Sequence, residues 1–396
     1  MTHGSALLNR DRADAVLRQY GLDGVLVALP ENWLYLTGFE DAVAATIGLP
    51  TIAILAGHPA SVKIVAIPRL VAGFAAAEIP TVSHVVLYGE FPVQVNHVEL
   101  SDLERATVQL LEDRSHSVET LSDAIELVLK LSDLERGQIA VDDSSIAQMA
   151  QERVPTCRCV PGRKVMEQIR AVKMPEEISR LGAASAIVEE LEQLAFDHIT
   201  PGRVWDDFVA SLPVATAQRG ARLGFFSGGA GWRSGFMFPP LQEPVKTGDL
   251  VRLDLTISYR GYWADSGRTA SVGTPSRDVG KRYALLRRGV ESALEAVRPG
   301  VPFADVYQAA LSVVQQQMPD YRRRHCGHSI GLRPYDGLLV APDESAQLET
   351  NMVLNIEVPY YGIGWGGMQL EDTIVVTEDG WTPLTTMTHD LIVVSA

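Results

Sequence analysis

The sequence is poor in cysteine. Its three cysteines, Cys157, Cys159 and Cys326, are an odd number in a chain of 396 residues. They therefore exclude a disulfide framework and indicate a reducing compartment such as the cytoplasm. Cys157 and Cys159 form a C-x-C pair, but the pair lacks the second pair of ligands that a structural zinc site needs, so it predicts no metal site.

Positive charge and long apolar segments are also scarce. The chain has 34 basic and 49 acidic residues, a net charge of -15, which argues against nucleic acid or an anionic membrane as a partner. No apolar run approaches the roughly 20 residues of a membrane helix. The opening segment carries charges where a secretory signal needs an apolar stretch. With 46% hydrophobic and 21% charged residues, the composition is that of a globular protein.

The pattern of predicted elements divides the chain near residue 165. Before it, short apolar strands alternate with segments of helical spacing, which is typical of an α/β domain. After it, a long helix is predicted to begin at Pro175, because proline suits the first turn of a helix. We therefore predict two domains, residues 1–165 and residues 166–396.

The second domain contains an internal repeat. The segment "PGRVWDDFVASL" begins at Pro201, and "PGVPFADVYQAAL" begins at Pro299. Each copy begins a predicted helix and is followed by a predicted β-hairpin. This pattern predicts an α+β domain built from two similar halves.

Each predicted hairpin carries a pair of acidic residues. A turn at 259–261 is predicted to place Asp254 opposite Asp265. A glycine-rich turn in the second hairpin is predicted to place Glu357 opposite Glu371. Like charges at such a distance repel each other, whereas a divalent cation between them reverses the sign of the interaction.

His328 completes a set of candidate ligands. It lies in the segment "GHSIG", whose glycines let the backbone approach another group closely. Four carboxylates and one imidazole suit two divalent ions, with Mn²⁺, Fe²⁺, Co²⁺ and Zn²⁺ all compatible. Two such ions can activate water and polarise a carbonyl, so the residues predict a metal-dependent hydrolase or lyase.

These segments resemble the pita-bread metallohydrolases, which include methionine aminopeptidases, prolidases, aminopeptidases P and creatinase. "LDLTISYRGYWADSGRT", "GHSIG", "NMVLNIEVP" and "MQLEDTIVVTEDG" are similar to the family's ligand segments. The resemblance implies that the metal ligands are Asp254, Asp265, His328, Glu357 and Glu371. "GLDGVLVALPENWLYLTGF" resembles the start of the creatinase and prolidase N-terminal domain. The family implies an α/β N-terminal domain, an α+β pita-bread catalytic domain, and a homodimer in which the N-terminal domain helps close the active site.

The sequence departs from the peptidases of this family at three places. The segment 225–240 lacks their usual histidine. Tyr335, followed by Asp336, stands seven residues after His328, where the peptidases have another histidine. Gln369 replaces the common arginine before the last glutamate. Because the replaced residues handle the substrate in the peptidases, the departures favour a specialised substrate.

Three residues near His328 are candidate catalytic groups. Tyr335 is a candidate proton donor, since phenols titrate near pH ~10, and packing is its alternative role. Asp336 is a candidate replacement for the missing histidine. His325 is a candidate base, with a position in the pocket wall or on the surface as the alternative.

Candidate substrate-binding residues lie in the glycine-rich segment and before the last ligand. Trp232, Arg233 and Phe236 are predicted to line the pocket, with Gln369 as a fourth contact. Arg233 could bind a substrate carboxylate with two parallel hydrogen bonds. The run 322–324 of three arginines is interpreted as a solvated surface.

Three functions are compatible with these features. The favoured one is a metal-dependent hydrolase or lyase that cleaves an amide or other C–N bond of a small, non-standard substrate. The alternative is an Xaa-Pro dipeptidase or aminopeptidase acting on short peptides. The third is a binding protein that keeps the fold without turnover, which the complete ligand set disfavours.

Overall fold

The chain forms two compact units, Met1–Arg170 and Ala171–Ala396. The computed structural model describes residues 7–40, 46–57, 62–78, 82–96, 99–239 and 241–396. Within these ranges, no helix combines the length and the apolar character that crossing a membrane requires.

A mixed β-sheet forms the centre of the first unit. Its described strands are β1 (Gly24–Val27), β2 (Ile52–Ala56), β3 (Lys63–Pro68), β4 (His84–Tyr88), β5 (Ser117–Val118), β6 (Gln138–Val141) and β7 (Arg158–Pro161). They follow the order β5-β4-β3-β2-β1-β6-β7. Strand β2 is antiparallel to both neighbours, and the other pairs are parallel. Leu26, Ile54 and Ile139 are fully buried, as expected for a sheet covered on both faces.

Helices surround this sheet. Those with described bounds are α1 (Arg10–Tyr20), α2 (Pro30–Thr37), α3 (Ala72–Glu78), α4 (Asp102–Glu112), α5 (Leu121–Leu131), α6 (Ser144–Arg153) and α7 (Arg163–Arg170). Helix α5 begins with a capping box, in which Thr120 and Asp123 satisfy each other's backbone N–H groups. Its buried face, which includes Ile125 and Val128, belongs to the core beneath the sheet.

The second unit contains the larger sheet. Its strands are β8 (Arg222–Ala230), β9 (Leu250–Tyr259), β10 (Tyr262–Val272), β11 (Gly327–Ser329), β12 (Val353–Glu357), β13 (Tyr360–Gly362), β14 (Gly366–Met368), β15 (Glu371–Val376), β16 (Trp381–Pro383) and β17 (Ile392–Val394). The main order is β11-β12-β15-β10-β9-β8, with β16 beside β15 and β17 beside β10. Strands β13 and β14 form a separate small ribbon.

Two pairs of helices belong to the second unit. They are α8 (Pro175–His198) with α9 (Trp205–Ala217), and α10 (Arg277–Ala296) with α11 (Phe303–Gln315). Helix α8 begins at Pro175 as predicted, and the Glu177 carboxylate accepts the Met174 backbone N–H at 2.8 Å. Helices α9 and α11 begin at Trp205 and Phe303, which are aligned positions of the proposed repeat. The repeat itself stays a prediction.

The turn of the β9–β10 hairpin differs from the prediction. Tyr259 pairs with Tyr262, so the loop consists of Arg260 and Gly261 alone. Both loop residues have positive φ, 50° and 81° respectively. Positive φ at both positions is the conformation of a type I′ turn, which suits the twist of an antiparallel pair. The predicted turn centre was one position too early.

This change in the turn moves the register by two residues. Asp254 lies opposite Gly267, and Asp265 lies opposite Thr256. The predicted pairing of Asp254 with Asp265 is therefore wrong. However, a two-residue change leaves every side chain on its original face, because side chains alternate with a period of two. Both aspartates remain on one face of the sheet.

The second predicted pairing is confirmed. Glu357 at the end of β12 lies opposite Glu371 at the start of β15. The chain between them forms the β13–β14 ribbon around Gly364, whose φ is 82°. The glycine-rich sequence therefore predicted the position of this turn correctly.

Candidate metal centre

The acidic side chains are arranged along one row that crosses four neighbouring strands. In the order β12, β15, β10 and β9, the row consists of Glu357, Glu371, Gly267 and Asp254. A β-carbon at Gly267 would overlap the Gln369 side chain, which occupies this gap. Asp265 lies two residues before Gly267, on the same face of β10. The sheet thus gathers all four predicted carboxylates.

His328 approaches these carboxylates from β11. Its Nε2 is 3.8 Å from Asp265 Oδ2 and 3.9 Å from Glu371 Oε1. Its Nδ1 is 3.3 Å from the Ser329 carbonyl oxygen, which can only accept a hydrogen bond. Nδ1 therefore carries the proton, and the lone pair of Nε2 faces the carboxylates. Burial lowers the pKa of His328 to about 4, so the ring is neutral near pH ~7.

The carboxylates carry the electrostatic cost of being close together. Burial, followed by neighbouring acids, raises the pKa values of Asp265 and Glu371 well above their usual range. Burial raises the pKa of Asp254 to about 7. Asp265 Oδ1 is buried and forms no hydrogen bond with any described residue. A buried carboxylate oxygen without a donor needs a positive partner, which a divalent cation would supply.

The donor set is compact enough for a metal. Asp265, His328 and Glu371 each offer a ligand atom, and these atoms lie within 4.8 Å of one another. The oxygen-rich set, its neutral imidazole and the unpaired Asp265 Oδ1 all fit a divalent ion.

Two amide side chains hold the carboxylates in place. Asn355 Nδ2 donates to Glu371 Oε1 at 2.8 Å. Gln369 Nε2 donates to Glu357 Oε2 at 3.2 Å and to Glu371 Oε2 at 3.0 Å. Such partners orient metal ligands and fix their geometry. Gln369 is thus bound to the candidate ligands, and it is not among the described residues that line the adjoining cavity.

A cavity of about 650 Å³ opens over the row, and all five candidate ligands line it. Its volume is within the usual range of sites for small molecules. Phe236 and Tyr335 also line it, as predicted for Phe236. The Tyr335 ring stacks on His328, with ring centroids 3.9 Å apart. Tyr335 is half exposed, yet its partial burial and then the neighbouring carboxylates raise its pKa, so its hydroxyl is protonated and can donate a hydrogen bond.

Two other predicted catalytic residues occupy different positions. The carboxylate of Asp336 is buried and lies 3.1 Å from Lys173 Nζ. His325 lies with its Nδ1 3.3 Å from Glu357 Oε1. Neither residue belongs to the described lining of the cavity. Asp336 has a structural ion pair, and His325 lies beside the candidate ligand Glu357.

Two predicted substrate contacts also lie elsewhere. Arg233 is buried, and its Nη1 is 3.0 Å from Asp206 Oδ2, so its charge is already paired. The Trp232 indole N–H donates to Glu243 at 3.1 Å. Among the described residues, the cavity lining includes neither side chain. An internal ion pair replaces the predicted carboxylate clamp at Arg233.

Sequence reasoning missed several of the cavity residues, including two arginines and a tyrosine. Arg252, Arg323 and Tyr361 line the cavity. The signal for Arg252 was present, because it precedes Asp254 by two residues in a strand and therefore shares its face. Arg323 was interpreted as part of a solvated run, yet its Nη2 lies 3.5 Å from Glu357 Oε1. The surface interpretation was wrong for this residue.

Family comparison covers both units. Residues 179–378 match the model of metallopeptidase family M24. The chain belongs to metallopeptidase family M24. Residues 10–172 match the creatinase/prolidase N-terminal domain. These matches confirm the predicted family and the predicted two-domain fold. Members of family M24 use divalent metal ions, typically two.

Relatives of known sequence include named peptidases. The probable dipeptidase PepE of Mycobacterium tuberculosis is 32% identical over 238 residues, which are 58% of this chain and 62% of that protein. An uncharacterized peptidase of Staphylococcus aureus is 26% identical over 224 residues, or 56% of this chain and 64% of that protein. Each match thus spans less than two thirds of the relative's length.

Solved structures share the whole fold. Dipeptidase PepE from Mycobacterium ulcerans has a TM-score of 0.77 and 25% identity, over 97% of this chain and 96% of that chain. Prolidase from Pyrococcus furiosus has a TM-score of 0.74 and 21% identity, over 95% of this chain and 99% of that chain, which shows the fold alone. The relatives named as dipeptidases, at 32% and 25% identity, favour the dipeptidase alternative over the predicted non-standard substrate.

Proposed function

We propose that this chain is a dinuclear metal-dependent dipeptidase, with Xaa-Pro dipeptides as the first substrate class to test. The observation that carries the proposal is the cluster of four carboxylates and one neutral imidazole on a cavity of about 650 Å³. The relatives named dipeptidases support a short peptide as the substrate.

The candidate metal ligands are Asp254, Asp265, His328, Glu357 and Glu371. Their oxygen-rich set suits Mn²⁺, Fe²⁺, Co²⁺ or Zn²⁺. Two such ions, when bound, activate a water for attack and polarise the carbonyl of the scissile amide. The unpaired Asp265 Oδ1 and the lone pair of His328 Nε2 support this assignment.

Two cavity residues have roles toward the substrate in this proposal. The protonated Tyr335 hydroxyl donates a hydrogen bond to a substrate oxygen, while its ring stays in place against His328. Phe236 provides an apolar wall beside the peptide. Positioning of this kind contributes to catalysis because it fixes the reacting groups in advance.

A second candidate function is cleavage of a small, non-standard amide. It is favoured by Tyr335 and Gln369, which stand where peptidases resembling this chain have histidine and arginine. A residue that transfers a proton contributes about 10²–10⁴-fold to a rate. Its replacement by tyrosine would therefore slow ordinary peptides and permit a different substrate.

A dipeptide panel tests the proposal. Protein loaded separately with Mn²⁺, Co²⁺ or Zn²⁺ would be assayed on Ala-Pro, Gly-Pro and dipeptides without proline. We expect turnover of about 1–10³ s⁻¹ on at least one dipeptide, which chelation abolishes. Asp265→Asn should be inactive, whereas the exposed Asp343→Asn serves as a matched control and should keep parental activity. The proposal would be contradicted if Asp265→Asn lost no more than a few-fold in turnover. It would also be contradicted if metal-loaded protein cleaved no dipeptide.

The homodimer, the cytoplasmic location and the boundary between 1–165 and 166–396 are further parts of the proposal. Sedimentation of the purified chain tests the first. Expression of residues 166–396 alone tests whether the second segment binds metal without the first.

A further inference from the structure

The cavity contains two guanidinium groups that the proposed hydrolysis does not use. Arg252 and Arg323 both line it. Their guanidinium carbons lie 5.0 and 5.4 Å from the centroid of one aromatic ring, that of Tyr361. Stacking of this kind holds a guanidinium flat and limits its motion. Two positive charges are thus kept close to the candidate metal centre.

Hydrogen bonds from two nitrogens fix the Arg252 guanidinium, while its third nitrogen forms none within the described residues. Its side chain is fully buried. Its Nε donates to the Ser234 carbonyl oxygen at 2.7 Å, and its Nη2 donates to Ser227 Oγ at 3.0 Å. Its Nη1 forms no hydrogen bond with any atom of the described chain and lies 3.7 Å from Asp254 Oδ2. A buried N–H group without an acceptor is costly, so this edge is suited to an acceptor that a ligand brings.

The Arg323 guanidinium also has hydrogen-bonding capacity that the described residues do not use. Its side chain is only 18% exposed, and its Nη2 lies 3.5 Å from Glu357 Oε1, which is longer than a good charged hydrogen bond. Its Nε has no hydrogen-bond partner in the described ranges. Both arginines therefore face carboxylates that belong to the candidate ligand set. Once those carboxylates hold cations, their charge no longer neutralises the arginines.

We propose that Arg252 and Arg323 form a subsite that binds a carboxylate of the substrate beside the metal centre. This inference rests on the proposed dipeptidase function. Arginine suits the role because its planar fork donates two parallel hydrogen bonds to a carboxylate. The carboxylate is the C-terminal group of a dipeptide or an acidic side chain next to the scissile bond.

The kinetic test compares substrates that differ in one charge. The probes are Ala-Pro, its C-terminal amide, and the amide of Ala-Glu, which carries only a side-chain carboxylate. A charged hydrogen bond contributes roughly 10–100-fold, so parental kcat/KM should be higher by that factor for the probe that carries the recognised carboxylate. Preference for Ala-Pro over its amide identifies the C-terminal group. Preference for the Ala-Glu amide over the Ala-Pro amide identifies the side chain.

Arginine variants then test which residues cause the preference for the carboxylate-bearing probe. Arg323→Gln and Arg252→Met should reduce it to within a few-fold, whereas Arg324→Gln removes the same charge from an exposed neighbour and should retain it. Arg252 is buried, so Arg323→Gln keeps the test open if Arg252→Met does not fold. Equal kcat/KM for all three probes in the parent, or full discrimination in Arg323→Gln, would overturn the proposal.

A binding measurement separates this subsite from the proposed function. The probe is an Ala-Pro analogue in which CH₂–N replaces the amide, used as the acid and as the C-terminal amide. Calorimetry with metal-loaded parent should show roughly 10–100-fold tighter binding of the acid, and Arg323→Gln should lose this difference. If the acid binds in this way while no dipeptide is cleaved, the subsite stands and the dipeptidase function fails. If dipeptides are cleaved while acid and amide bind equally, the subsite fails alone.

Discussion

Removal of one candidate ligand is expected to stabilise the metal-free protein. Burial, together with the neighbouring Glu357, raises the pKa of Asp254 from 3.8 to about 7 against the opposing effect of Arg252. This increase of about three corresponds to roughly 4 kcal/mol at about 1.36 kcal/mol per pH unit. The side chain is 16% exposed and its amide replacement keeps some packing, so we expect an effect of about 2–4 kcal/mol on the free energy of unfolding.

The pH dependence has a definite sign. Because its pKa is higher in the folded protein, Asp254 binds more protons when folded than when unfolded. Relative to its value above about pH 7, the contribution of Asp254 to stability is therefore fully present below about pH 4 and is lost as the pH rises toward about 7. Above that pH, the buried charge destabilises the folded protein by its full amount. Asp254→Asn cannot ionise, so the variant should exceed metal-free parent in stability at about pH 8, by less at about pH 5, and approach it only below about pH 4.

Bound metal should reverse this order of stability, so that the parent becomes more stable than Asp254→Asn. A cation that binds only the folded state stabilises it by RT ln(1 + [L]/Kd), and Asp254→Asn should gain less because it has lost a ligand. Thermal unfolding followed by circular dichroism, with chelator or with Mn²⁺, measures both effects. We expect the metal-free variant to unfold about 4–12 °C above the parent at alkaline pH, with Asp343→Asn unchanged. A metal-free variant that unfolds below the parent at this pH would refute the electrostatic reasoning.

Three further outcomes are expected. Elemental analysis of protein loaded with Mn²⁺ or Zn²⁺ and then desalted should give about two ions per chain, and a value near zero for every metal would exclude the centre. Tyr335→Phe should lower kcat and kcat/KM together at unchanged metal content if the hydroxyl acts in the transition state, whereas values within a few-fold of the parent would assign Tyr335 to packing. Gln369→Met should weaken metal binding by about 10–100-fold, because it removes both hydrogen bonds to Glu357 and Glu371, and an unchanged affinity in a metal titration would show that these bonds do not orient the ligands.

The two hairpins show how far local sequence predicts register. The Glu357–Glu371 pair was predicted correctly because glycines mark its turn, including Gly364 at positive φ. The first hairpin uses Arg260 at a φ of 50°, a conformation that arginine rarely adopts and that its sequence does not signal. The prediction of a shared face survived because the error was an even number of residues.

Long-range packing explains the residues that sequence reasoning missed. Arg323 lies in a run of three arginines, and only the tertiary fold selects which one faces Glu357. Gly267 leaves space for the Gln369 side chain, which comes from the link between β14 and β15. Similarly, the pairing of Arg233 with Asp206 joins residues from a short helical turn and from α9. Periodicity along one strand carries no information about such partners.

The row of carboxylates has a consequence for the order in which the protein matures. The four candidate carboxylates are on β9, β10, β12 and β15, and the histidine is on β11, so the ligands are spread over more than one hundred positions of the chain, from Asp254 to Glu371. Contacts between distant positions form late, because closing long loops costs entropy before any contact repays it. We therefore expect metal to bind after the sheet has closed, through the finished cavity, so that newly made protein passes through a folded, metal-free stage whose lifetime depends on the supply of ions.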